Sequence, residues 1–180
     1  RPSSATMRVL TRMEEASLES LRIVVLRLSS LGDIVLSSSF LRTLENHFPD
    51  AEVDFVVRED LAPVAALLPN VRRVVAVSRD AGLPALWSLG SRLAREPYRH
   101  VFDLHQSLRS RLLVRGLRRR LRPGFTKQSF PRWLLIHTRH DFYDRFGGAR
   151  SLRERMLHPL ERMNLEPRLS PTQLILTDTL

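Results

Sequence analysis

Apolar residues recur in two rhythms along this chain. Short runs of β-branched and aliphatic residues, the length of a buried parallel strand, alternate with longer segments where apolar residues return every three or four positions. The first strand expected is 23–28, interrupted only by Arg27. A small-residue turn, Ser29-Ser30-Leu31-Gly32, leads to Asp33 and then to a helix over 34–44, with Ile34, Val35, Phe40, Leu41 and Leu44 on one face. Pro49 and Asp50 make a turn before 51–57, whose alternation predicts a second strand. A short helix over 63–68 closes at Pro69-Asn70, and a third strand follows at 73–77. Residues 83–94 read as a helix with Pro84 in its first turn and Leu86, Leu89 and Leu93 along one side. A fourth strand at 98–104 contains Asp103 near its end. A basic helix over 107–119 is then expected to turn Leu108, Leu112, Leu113 and Leu117 toward the sheet. Strand–helix alternation of this kind predicts an α/β, Rossmann-like, doubly wound domain with a mainly parallel sheet.

From Leu121 the pattern loosens. Residues 130–144 mix Arg, His and aromatics around an apolar run at 133–136, Gly147-Gly148 breaks the chain, and 149–163 reads as an amphipathic helix. The division expected is a flexible leader at 1–20, one domain at 21–170, and the start of a linker at 171–180. Trp133 and Phe130 read as core or hydrophobic cover.

Charge changes this picture in one place. Residues 99–155 carry 15 Lys and Arg against 4 Asp and Glu, a net of +11, whereas 1–98 balance at 12 against 12. Almost all of that excess is arginine, which points to an anionic partner such as phosphate, carboxylate, nucleic acid or a membrane surface, or to a solvated helical face. The chain has no cysteine, so disulfides and thiolate metal sites are excluded, in keeping with a reducing compartment. No stretch has the roughly 18 apolar residues of a membrane span.

Candidate chemistry gathers where strands end, since parallel sheets bind ligands outside their carboxyl ends. Two carboxylates fall there, Asp33 after the first strand and Asp103 at the fourth. Asp33 has two readings, a cap for the free N–H groups of the following helix, or a general base exposed at a ligand crevice. Gly32 is the only glycine of its turn, which therefore carries neither the G-x-G-x-x-G fingerprint nor a P-loop, and is not built to cradle a pyrophosphate. Arg58 follows the second strand and sits at a crevice position; Arg109 and Arg111 are either ligand clamps or a solvated face; His105 is either a ligand contact or a structural histidine. His137 and His140 lack a third ligand at metal spacing, so no metal site is expected. A basic module that binds nucleic acid is the alternative, although neither an aromatic-rich RNP strand nor a GXXG loop is present.

The stretch RLSSLGDIVLSSSFLRTLENHFPDAEVDFVV resembles the opening of the ADP-heptose:lipopolysaccharide heptosyltransferases, glycosyltransferase family 9. Arg27, Ser29, Gly32 and Asp33 match its K/R-x-S-x-G-D turn, and residues 48–52 match its FPDAE. LLPNVRRVVAV and FDLHQSLRSRLL resemble later family motifs, the latter at Asp103, Leu104, Leu108, Arg109 and Ser110. The resemblance runs over about 21–165. It implies the N-terminal half of a GT-B enzyme that binds the anionic lipopolysaccharide core acceptor, with the ADP-heptose donor held mainly by a second domain and no further cofactor. It also implies a cytoplasmic protein, at most peripheral at the inner face of the membrane, for which nucleic acid is not an expected partner and a related acceptor is the alternative. Asp33 takes the place of the family's catalytic base, in an inverting reaction without a metal, and Ser30, Gly32, Arg58, Asp103, His105, Arg109 and Arg111 are the expected acceptor contacts. The family's His three residues after the Asp and Pro six after are Leu36 and Ser39 here, and its Gln-Gly after the fourth strand is His105-Gln106.

Overall fold

The computed structural model describes residues 21–117, 151–163 and 165–175. Within them lie four strands, β1 (Arg22–Leu26), β2 (Glu52–Arg58), β3 (Val71–Val77) and β4 (Tyr98–Asp103). Five α-helices accompany them: α1 (Leu31–His47), α2 (Ala62–Ala65), α3 (Leu83–Leu93), α4 (Leu108–Gly116) and α5 (Leu152–Glu161). All strand pairs are parallel, in the order β3-β2-β1-β4. The chain therefore winds one way from β1 to β3 and then crosses back to place β4 on the other side of β1. The gap between β1 and β4 is the topological switch point, where an open α/β sheet leaves a crevice.

Side chains alternate across the sheet and build two cores. On one face Ile23, Val25, Val53, Phe55, Val57 and Phe102 pack with Ile34, Phe40, Leu41 and Leu44 of α1 and with Met156, Leu157 and Leu160 of α5. On the other, Val24, Leu26, Val56 and Val101 meet Leu86 and Leu93 of α3 and Leu113, Val114 and Leu117 of α4. Burying each of these large side chains stabilises the fold by about 1.5–3 kcal/mol. β2 forms where the alternation put a second strand and is buried on both faces from Val53 to Val57, because both helical layers cover it.

Several boundaries shift. α1 starts at Leu31, so Gly32 and Asp33 belong to its first turn instead of preceding it. The helix expected over 63–68 is a 3-10 turn, Glu59–Leu61, continuing into the single turn of α2. Leu108 does not face the sheet; it is 82% exposed. It opens α4, whose buried positions are Ser110, Leu113, Val114 and Gly116, while Leu113, Leu117 and the partly buried Leu112 pack into the core as expected. α5 falls within the helix expected over 149–163. The leader, residues 118–150 with most of the basic segment, His137, His140, Phe130 and Trp133, and 176–180 lie outside the described residues.

Two features hold the scaffold. Helices α3 and α4 cross with backbones in contact, since a Cβ on Gly90 would lie 2.2 Å from the Leu113 carbonyl oxygen, and one on Gly116 would lie 2.9 Å from that of Trp87. At the amino ends of the strands, fully buried Asp54 takes forked bonds from Arg72 (3.0 and 2.8 Å), bonds from Arg73 (3.1 and 2.6 Å) and one from the Tyr98 hydroxyl. A shift in the β2–β3 register skips Arg72, which lets both arginines reach one carboxylate. Burial pushes the Tyr98 phenol up, and Asp54 pushes it further.

Candidate functional site

The site forms at the carboxyl edge of the sheet. Leu28 and Ser29 after β1, Arg58 ending β2, Val77 to Asp80 after β3, His105 after β4 and Arg109 on α4 line a pocket of about 290 Å³. That is near the lower limit of small-molecule sites, a volume suited to a compact polar group. Arg58, Arg79, Arg109 and His105 supply its positive character, and Asp80 is its acidic member.

Loops are braced before any ligand arrives. Arg58 forks onto Asp60, with Nη2 2.7 Å from Oδ2. Glu59 accepts from the Ser78 hydroxyl and the Arg79 N–H, both at 3.1 Å, so the ends of β2 and β3 are tied together. Arg109 donates to the carbonyls of Arg79 (2.9 Å), Ser78 (3.2 Å) and Ala81 (3.2 Å), which fastens α4 to the β3–α3 loop. Sequence left Arg109 as a ligand clamp or part of a solvated face; it lines the pocket, and its guanidinium grips the chain's own backbone. Asp103 is buried as well. One of its oxygens accepts the N–H groups of His105 (3.0 Å) and Gln106 (2.8 Å), and the other accepts the Ser110 hydroxyl (2.9 Å). Asp103 thus shapes the loop that carries His105 and is not presented to the crevice. Gln106 takes φ 51°, a left-handed conformation that suits the glycine found there in the family pattern. Arg111 is exposed on α4, outside the pocket lining.

The loop Leu28–Ser30 leads from the pocket into α1, where Asp33 occupies the third helical position. Its Oδ2 accepts the Ser30 N–H at 3.2 Å and also a bond from the Arg27 guanidinium. The two sequence readings of Asp33 therefore coexist: it caps the helix, and its side chain keeps 27% exposure. Burial pushes its carboxyl up, but the Ser30 N–H and the Arg27 cation outweigh that and hold it below its ordinary value. At neutral pH it is an ionised, partly open carboxylate. Ser30 and Gly32 are exposed beside it, and a Cβ on Gly32 would meet nothing within 4 Å, so the fold does not require that glycine.

Arg27, read from sequence as a polar interruption in a strand, is 5% exposed and links Asp33 to the Leu104 carbonyl beyond β4. Ser38, Ser39 and Thr43 were also missed. They receive the segment 165–175: Gln173 N–H donates to Ser38 Oγ at 3.0 Å, Ser39 donates to the Ser170 carbonyl, and Thr43 to the Arg168 carbonyl at 3.0 Å. A run of small hydroxyl residues on a buried helix face was the signal for such a strap. Among the described residues, no group of His, Asp or Glu side chains could hold a metal ion, and no helix is long and apolar enough to cross a membrane.

No family model matches the chain. Among curated proteins it is 28% identical over 123 residues to lipopolysaccharide heptosyltransferase 3 of Escherichia coli, covering 61% of this chain and 36% of that protein. Among solved structures, the glycosyl transferase family 9 protein from Veillonella parvula superposes with a TM-score of 0.67 at 21% identity, covering 89% of this chain and 47% of that one. E. coli heptosyltransferase WaaC, solved with ADP-2-deoxy-2-fluoro heptose, gives 0.60 at 18% identity, covering 84% and 51%. The chain spans about a third of the curated relatives it matches and about half of these solved structures. Its four-stranded parallel α/β domain matches half of the GT-B heptosyltransferase fold, and the chain is similar to the N-terminal half of the lipopolysaccharide heptosyltransferases of glycosyltransferase family 9.

Proposed function

We propose that this chain is the acceptor-binding half of an inverting glycosyltransferase that moves heptose from ADP-heptose to the lipopolysaccharide inner core. The observation that carries the reading is the Asp33 carboxylate, ionised and partly open at the first turn of α1, one loop away from a pocket ringed by Arg58, Arg79, Arg109 and His105. An acceptor rich in phosphate and sugar-acid groups is complementary to that ring, because guanidinium groups pair with such anions. The donor is held by a second domain facing this edge of the sheet; a relative of the same fold was solved with an ADP-heptose analogue.

In the reaction, Asp33 takes the proton of the acceptor hydroxyl as its oxygen bonds to the anomeric carbon. The bond from that carbon to the diphosphate breaks at the same time, the electron pair leaves with ADP, and the configuration inverts. Ser30 and Gly32 leave the approach to Asp33 uncrowded. The arginine-rich segment 99–155 supports residence at the cytoplasmic face of the inner membrane, where the acceptor is anchored and the surface is anionic.

Titration of this chain with deacylated lipopolysaccharide inner core, followed by Trp87 and Trp133 fluorescence at two salt concentrations, tests the reading. Saturable binding is expected, retained by Asp33→Ala and weakened at least tenfold by Arg58→Ala. Binding of short RNA alone, falling steeply with salt, would replace it with a nucleic-acid module.

A further inference from the structure

Three arginine–carboxylate pairs in this domain can be compared atom by atom. Arg58 uses Nε and Nη2 on the two oxygens of Asp60, and Arg72 uses the same fork on Asp54, at 3.0 and 2.8 Å. This side-on fork is the usual arrangement when an arginine simply neutralises a carboxylate. Arg27 departs from it. Its Nη2 bonds Oδ2 of Asp33, and its Nη1 bonds the Leu104 carbonyl, 77 residues away in sequence at the end of β4. The Ser30 N–H converges on the same Oδ2. The Ser30 hydroxyl also bonds this carboxyl, and the Asp33 side chain keeps 27% exposure.

We propose that Arg27 is the positioning residue of this site: it fastens the Asp33 carboxylate to the end of β4 and so sets the direction in which its open part meets the acceptor hydroxyl. The inference rests on the general-base reading of Asp33 and specifies how that base is held. The guanidinium spans the switch point, so a single buried group fixes the α1 first turn against the β4 end, the two walls between which a ligand enters. A planar fork can hold two acceptors in two directions at once; an ammonium on a flexible stem holds neither orientation. Among the described residues the charged group acting on Asp33 is Arg27, from the end of β1, and the start of α1 adds the Ser30 N–H, the Ser30 hydroxyl and the positive end of its dipole. The carboxylate is consequently ionised and immobile before the acceptor arrives. The proton it takes is held weakly and passes on to solvent once ADP has left.

The test is a pH titration of the Asp33 side-chain carboxyl by carbon NMR in this chain, assigned with Asp33→Asn, and repeated in Arg27→Lys and Arg27→Gln. In the unsubstituted chain the midpoint is expected below the ordinary carboxylate range. It should move upward in Arg27→Gln, with Arg27→Lys between the two because the charge remains while the bridge is lost. Arg27→Lys keeps the test available where Arg27→Gln does not fold, as judged by far-UV circular dichroism. In the complete enzyme carrying this domain, folded Arg27→Lys is expected to lose kcat at least tenfold with KM for the acceptor little changed; a structural role alone would lower the unfolding midpoint and leave kcat where it was, and that result overturns the proposal. The base reading fails separately, if the complete enzyme carrying this domain transfers heptose undiminished with Asp33→Asn.

Discussion

Gly90→Ala is a substitution for which local propensity and tertiary structure give opposite signs. In an exposed helix interior, replacing Gly with Ala stabilises by about 1 kcal/mol. Here the added Cβ would sit 2.2 Å from the Leu113 carbonyl oxygen and 3.0 Å from the Gly116 Cα. Ordinary contact needs about 3.4 Å, so α3 and α4 must separate by roughly an ångström. Both close neighbours are backbone atoms, so no side chain can rotate out of the way. Overpacking of this kind costs about 1–3 kcal/mol, and a gap of 0.5–1 Å forfeits a quarter to a half of the dispersion attraction along the seam. That seam includes Leu86, Leu93, Leu113 and Leu117. After the propensity gain the net expectation is a loss of up to about 2 kcal/mol. Urea unfolding followed by far-UV circular dichroism measures it, with Gly32→Ala as the control. Gly32 is exposed in the first turn of α1 with nothing near its Cβ, and should give a gain of up to about 0.5–1 kcal/mol. Equal or greater stability in Gly90→Ala would refute the backbone-contact argument. The seam also matters to the site, because α4 carries Arg109 onto the loop that forms one pocket wall.

Removing the buried carboxylate in Asp54→Asn should destabilise by about 3 kcal/mol, the low end for a broken buried pair because Arg72 and Arg73 keep partial access to water; urea midpoints against the unsubstituted chain check this. Gln106→Gly should stabilise by about 0.5–1 kcal/mol by relieving the left-handed strain at φ 51°, read from the thermal midpoint, and a loss would contradict it. Because the Asp33 carboxyl lies below its unfolded value, its contribution is present above about pH 4 and fades as pH falls through the folded value. Stability profiles of the unsubstituted chain and Asp33→Asn should accordingly converge toward low pH, and parallel profiles would contradict the assignment.

Much of the fold could be read from the chain because its strands are buried runs and its helices return apolar residues at helical spacing. β1, β3, β4, α3 and α5 emerged within a few residues of where the pattern put them. The misses share a cause, which is that tertiary contact decided them. Leu108 looked like part of a leucine stripe, yet Ser110 takes the inward position because Asp103 needs its hydroxyl. Asp33 and its glycine were visible as a motif, whereas the partner that orients the carboxylate was not, since Arg27 and Leu104 meet only after β4 docks beside β1. Arg109 was legible as a crevice residue but not as a brace, because its three acceptors are backbone carbonyls with no side-chain signature.

The central claim is that an anionic glycan binds at the carboxyl edge of the sheet beside Asp33. Amide and arginine side-chain NMR shifts, followed while deacylated lipopolysaccharide inner core is added to this chain, test it most directly. The account predicts saturable changes concentrated at Ser29, Ser30, Asp33, Arg58, Arg79, His105 and Arg109, with Arg22, Arg72 and Arg73 at the opposite end of the strands unmoved. Changes centred on that opposite end, or spread over the basic surface without saturation, would contradict it.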